Sequence, residues 1–190
     1  MLRQVRLAGI TLLEMMIGLV IVSSLLLVGT PSFTRWIQHM QVRAAAESVQ
    51  TGLQLARSEA VRRNRPVEFR LKNADGQVEW EIGCDATSAA CPAVIASRNR
   101  SEAGQNARVA AAMAAAGAGF DTALVAGAGL PASVLFNGMG LVTGGSANRI
   151  ELSNAALNPS PRLTVIISHG GAIRLCDPEI ARNRDPQGCG

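Results

Sequence analysis

The 190-residue chain lacks the short motifs that carry common catalysis. It has no G-x-S-x-G nucleophile turn, no glycine loop followed by Lys-Ser or Lys-Thr, and no paired histidines with an acid at helical spacing. Gly138-Met139-Gly140 and Gly144-Gly145 therefore read as turns, and a non-enzymatic protein without a cofactor is expected. Histidine is scarce: only His39 and His169 occur, and none of the four cysteines stands in C-x-x-C spacing, so no metal site is expected. Positive charge is missing from a long N-terminal stretch, with no Lys or Arg from Ile10 to Thr34.

That stretch is instead a run of apolar residues from Ile10 to Val28, interrupted by one acid, Glu14, near its start. About 20 residues as a helix span roughly 30 Å, the thickness of a bilayer's hydrocarbon core. A carboxylate at membrane depth costs roughly 2.5 to 3.5 kcal/mol on insertion scales and needs a compensating partner. A new α-amino group, made by cutting after Gly9, would supply the cation. A secretory signal peptide has a shorter apolar region with its cleavage site after it, and a plain anchor accounts for the length but not for Glu14.

Gly9-Ile10-Thr11-Leu12-Leu13-Glu14, preceded by a basic leader, resembles the start of type IV pilins and type II secretion pseudopilins, with Ile10 in place of the commoner Phe. The resemblance implies cleavage by a prepilin peptidase between Gly9 and Ile10, N-methylation of Ile10, and a role for Glu14 in aligning the subunit during assembly. Arg3 and Arg6 lie in the leader, and their loss lowers the side-chain net charge from +4 to +2, so global basicity is weak evidence for a nucleic-acid partner. Their position ahead of the apolar run also places the N-terminus in the cytoplasm. The expected location is the inner membrane, single-pass, in contact with its lipid, with the C-terminal domain periplasmic.

Beyond the apolar run, Thr30-Pro31 predicts a kink at the membrane exit. Phe33, Trp36, Ile37 and Met40 then form an interfacial face. Val42, Ala45, Val49, Leu53, Ala56 and Ala60 recur at spacings of three and four, the stripe of a helix lying on a globular domain, and Pro66 sets its stop. Alternation from Val67 to Lys72 and from Val78 to Ile82, around Asn73-Ala74-Asp75-Gly76, predicts a β-hairpin. Further strands are expected over 93–97, 133–136, 149–152, 163–168 and 172–176. The Ala/Gly-rich segment 101–131 is compatible with a short helix, a weak strand or a loop.

The domain organisation read this way is a leader over 1–9, a transmembrane segment over 10–29, an amphipathic continuation over 30–65, and a β-rich periplasmic domain over 66–190. The fold class is α+β, a long N-terminal helix packed on an antiparallel β-sheet domain. Cys84 with Cys91 and Cys176 with Cys189 are close pairs suited to two short disulfide loops in an oxidising compartment. A loop of about 15 residues gains roughly 3 kcal/mol from such closure in the chain-entropy treatment.

The helix end, Leu53-Gln54-Leu55-Ala56-Arg57-Ser58-Glu59-Ala60-Val61-Arg62-Arg63-Asn64, narrows the resemblance to the GspH/FimT-type minor subunits, which carry a similar L-x-L-A-R-S-E-A-x-x-R-N segment. Phe136-Asn137-Gly138 and the ending around Ser168 to Pro178 add to it. The family implies no enzymatic activity and assembly at a filament tip or base, with other minor pilins or pseudopilins and an inner-membrane assembly platform as partners. Arg57, Arg62, Arg63 and Arg65 read as a solvated helix end complementing the helix dipole. Some members of the family bind DNA through a G-R-x-R motif before the last cysteine. Here those positions are Gly171-Ala172-Ile173-Arg174, so Arg174 stands without the first arginine, accompanied by Arg182 and Arg184.

Overall fold

A computed structural model describes residues 10–115 and 118–189, with the side chains of 28–31 outside the description. The leader and its cleavage residue Gly9 therefore lie outside the described residues. The kink expected at Pro31 falls on residues whose side chains are likewise not described, and the helical assignment continues through it. The chain divides into two compact units, one ending at Ile37 and the other running from Gln38.

Helix α1 spans Leu12–Arg63, and its first half makes up the described part of the first unit. Thr11 caps it: its hydroxyl accepts the amide of Glu14 at 3.2 Å, and its carbonyl accepts the amide of Met15. Thr11 and Glu14 thus stand at the Ncap and N3 positions, the sequence pattern of a capping box, with the acid in the first turn at the positive end of the helix dipole. Apolar side chains from Leu12 to Leu27 are exposed on every side, Leu27 at 79%, in a helix long and apolar enough to cross a membrane. Ser23 and Ser24 donate to the carbonyls of Leu19 and Ile21, which satisfies their hydroxyls without solvent. Phe33 and Trp36 stack, their ring centroids 5.9 Å apart.

In the second unit the rest of α1 lies on two four-stranded antiparallel sheets. One has the order β3-β2-β1-β5, from Ala96–Arg98, Trp80–Cys84, Val67–Leu71 and Ala132–Phe136. The other has the order β4-β6-β7-β8, from Ala107–Ala112, Arg149–Asn154, Leu163–Ile167 and Ile173–Cys176. Val42, Ala45, Val49, Leu53, Ala56 and Ala60 are all buried at 1% exposure or less, as their spacing predicts, and small residues dominate the stripe. Gly52 lets the sheet come closer still: a Cβ there would stand 2.8 Å from a ring carbon of Phe69 and 3.2 Å from the indole of Trp80. That indole donates to the Ser48 hydroxyl at 3.0 Å, a buried hydrogen bond between sheet and helix.

The predicted hairpin is present, with Val67 opposite Cys84 and Leu71 opposite Trp80. The Ala/Gly-rich segment opens at the end of a 3-10 turn, Arg100–Glu102, and continues into strand β4, paired with β6 from Ala107 opposite Asn154 to Ala112 opposite Arg149. Its composition of small residues hides this strand, because the information lies in the partner. The second sheet buries Ile150 and Leu152 in the core, so Arg149 and Glu151 point to its opposite face. Residues 118–124 of the connection from β4 to β5 run over that face as a strap. Arg149 donates to Thr122 O and lies over the Phe120 ring, Glu151 accepts the Leu124 amide, and the Asn148 amide bonds both polar groups of Ala114. Arg149 and Glu151 form a buried ion pair at 2.7 Å, with Arg162 3.5 Å away on the other carboxylate oxygen.

Candidate functional site

Three places hold the residues singled out by sequence: the N-terminal cap, the end of α1, and the C-terminal loop. At the first, Ile10 and Glu14 are exposed and Glu14 occupies the cap geometry described above. The capping pattern T-x-x-E was readable in Thr11-Leu12-Leu13-Glu14, and it gives Glu14 a local helix-starting role beside any role toward another chain.

At the second place the helix stops in a Schellman arrangement. Asn64 takes the left-handed conformation at φ 50°, its amide donates to Val61 O, and the amide of Arg65 reaches back to Ala60 O. Glu59 accepts from Arg62 at 2.6 Å and from Arg63 at 2.7 Å. The Arg62 guanidinium, helped by Arg63 and opposed by burial, holds the Glu59 carboxyl below its usual range. Arg63 also donates to Ala90 O, tying the helix end to the loop closed by the Cys84–Cys91 disulfide. Arg57 donates through Nε to Gly140 O at 3.1 Å. Gly171 fits at that contact because it has no side chain: at φ 76°, a Cβ would overlap Gly140 O and stand 2.9 Å from Arg57 Nε. The motif Arg57-Ser58-Glu59 through Asn64 is thus a joint between the helix and turns from both sheets, rather than a uniformly solvated charge run. Helix periodicity carries no signal for it, since Arg57 and Gly140 are 83 residues apart.

At the third place a second disulfide joins Cys176 to Cys189. Arg174 donates to Gly188 O at 3.1 Å and to Cys189 O at 3.0 Å, bracing the loop that this bond closes. Burial and the neighbouring charge of Arg182 lower its pKa from the ordinary arginine value. Arg182 and Arg184 are exposed, so the structure separates one engaged arginine from two solvent-facing ones. The other predicted pair, Cys84 with Cys91, forms its own disulfide within the second unit.

Residues 45–171 match the family model described as Type II transport protein GspH. Among solved structures, the chain is similar to the type IV minor pilin FimU of Pseudomonas aeruginosa, with 19% identity, a TM-score of 0.51, and coverage of 82% of this chain and 99% of that one. It is also similar to the minor pseudopilin EpsH from the Type 2 Secretion System of Vibrio cholerae, with 15% identity, a TM-score of 0.47, and coverage of 74% and 99%. At that identity the likeness to FimU is one of fold. A comparison with curated proteins gives no match.

Proposed function

The chain belongs to the GspH family of minor pilins and pseudopilins, and from that premise we propose that it is processed by a prepilin peptidase and assembled at the tip or in the priming complex of a type IV pilus. It is a structural subunit, not an enzyme. The observation that carries the proposal is the first half of α1, apolar and exposed on every side, with one acid at its capped start. Such a surface has to be covered by lipid before assembly and by other helices after it. Cleavage between Gly9 and Ile10 leaves an amine, methylated in the mature subunit, a few residues from Glu14. Glu14 then interacts with the N-terminus of a neighbour, while the domain from Gln38 onward lies in the periplasm.

A second reading, a minor pseudopilin of a type II secretion system, is favoured by the description of the matching family model. Both readings share the leader, anchor and domain. DNA uptake through the C-terminal arginines has less support, because Arg174 braces the disulfide loop and leaves Arg182 and Arg184 to meet phosphate.

The test is mass spectrometry of the mature N-terminus together with Glu14→Ala in the full-length protein. The expected result is a methylated Ile10 terminus, with the variant present in membranes but depleted from sheared filaments or from the cross-linked pseudopilus. An intact leader, or unchanged incorporation of the variant, would overturn the assembly role. Subunits cross-linked from membrane-half positions such as Val20 identify which of the two machines is served.

A further inference from the structure

A groove runs along the C-terminal end of α1 beside the turn that enters β8, with a volume of about 670 Å3. Its apolar surface comes from Val61, Ala172 and Ile173, with Val61 51% exposed. The turn holding Gly140 borders it: a Cβ at Gly140 would be 3.0 Å from Val61 Cγ2 and 3.1 Å from Arg57 Nε. Met139 and Leu141, on either side of that glycine, are 74% and 40% exposed, so the apolar rim continues past the groove. Arg57 and Arg62 line it from the helix.

The charge there is one-sided. Glu59 is the carboxylate bonded at this helix end, and it already accepts from both Arg62 and Arg63. Arg57 has one nitrogen on Gly140 O, and among the described residues no acid lines the groove beside it. The Arg62 fork already holds Glu59 in two contacts, at 3.0 and 2.6 Å, which leaves the terminal nitrogens of Arg57 over the apolar floor. A guanidinium so placed suits a ligand that brings a carboxylate together with apolar side chains. A nucleic-acid backbone would leave the apolar floor and rim uncovered.

We propose that this groove is a docking site for an adjacent pilin-like subunit, which inserts a segment carrying an Asp or Glu beside one or more apolar residues. The proposal rests on the reading of the chain as an assembled filament subunit. It adds a contact made by the globular domain, separate from packing of the apolar helix half, and it accounts for the exposed Val61, Met139 and Leu141 beside the turn that Arg57 bonds. Rim charges steer and orient such contacts, and reversal of one is expected to weaken capture by about tenfold.

The experiment places a photocrosslinking residue at Ile173 of the full-length protein in its own cells, with a second series at Val20 in the membrane half, and maps the cross-linked peptides by mass spectrometry. The expected result at Ile173 is a pilin-like subunit, joined through a peptide containing Asp or Glu. Its yield should fall about tenfold in Arg57→Glu, fall less in Arg57→Gln, and recover when the mapped acid is changed to Arg. Circular dichroism of the purified variants checks that the domain remains folded. Capture of subunits at Val20 with none at Ile173 overturns the groove proposal and leaves the assembly reading standing. So does capture of lipid or nucleic acid at Ile173, or a yield indifferent to Arg57. Capture of no subunit from either position overturns both.

Discussion

Gly52 is the position where the structure makes the sharpest quantitative demand. Within a helix, Gly→Ala ordinarily stabilises by about 1 kcal/mol through propensity. Here the added Cβ would stand 2.8 Å from Phe69 Cε2 and 3.2 to 3.3 Å from two indole carbons of Trp80, all fully or nearly buried. Overpacking of this kind costs about 1 to 3 kcal/mol. The difference is a net destabilisation of about 1 kcal/mol, and the sign is opposite to that of an exposed helix glycine. For a domain of this size that lowers Tm by about 2 to 4 °C. The assay is thermal unfolding of the purified full-length protein in detergent, followed by Trp fluorescence, with Gly52→Ala in the natural and the Phe69→Leu backgrounds. Truncating the ring should remove most of the penalty and leave a coupling of roughly 1 kcal/mol between the sites. A rise in Tm for the single variant would refute the packing argument. Equal effects in both backgrounds would show that Phe69 is not the obstacle.

Four further outcomes rest on named contacts. Glu151→Ala leaves Arg149 buried beside Arg162 without its carboxylate and should cost about 3 to 5 kcal/mol, with the strap after β4 cut faster in limited proteolysis. If the strap stays resistant, the ion pair does not hold it. Because the Glu59 carboxyl sits below its usual range when folded, its stabilisation of the helix end is complete above the ordinary carboxylate pKa of 4.5 and is lost as pH falls below that value. Amide exchange over 60–65 should therefore accelerate with acid relative to the intrinsic rate, and less so in Glu59→Gln. Arg174→Ala should loosen the C-terminal loop, seen as faster exchange at Gly188 and Cys189, whereas Arg182→Ala with Arg184→Ala should not. Any salt-sensitive retardation of duplex DNA should follow the exposed pair rather than Arg174, and a dependence on Arg174 alone would contradict its bracing role.

Local pattern accounts for most of the architecture. The buried stripe from Val42 to Ala60, the hairpin around Asn73 to Gly76 and the stop before Pro66 all follow from the period of apolar residues and from backbone constraints acting within a few residues. The apolar run with Glu14, and the motif at the helix end, were likewise enough to point to the family whose model matches 45–171. Small residues explain why the Ala/Gly-rich stretch was illegible: alanine and glycine carry little periodic contrast, so strand β4 is specified by its ladder with β6.

What the sequence by itself determined is most of the elements, β4 excepted, together with the two-part character of α1 and the cysteine pairs close enough to close short loops. What only the tertiary structure decided is how polar side chains are used. Arg57 holds Gly140, Arg149 and Glu151 hold the strap, and Arg174 holds the C-terminal carbonyls. Each of these contacts joins residues at least 14 apart in the chain. The physical reason is that apolar burial has a period imposed by the backbone, which a sequence displays. The partner of a long polar side chain depends on which remote carbonyl or carboxylate the completed fold brings within hydrogen-bonding distance.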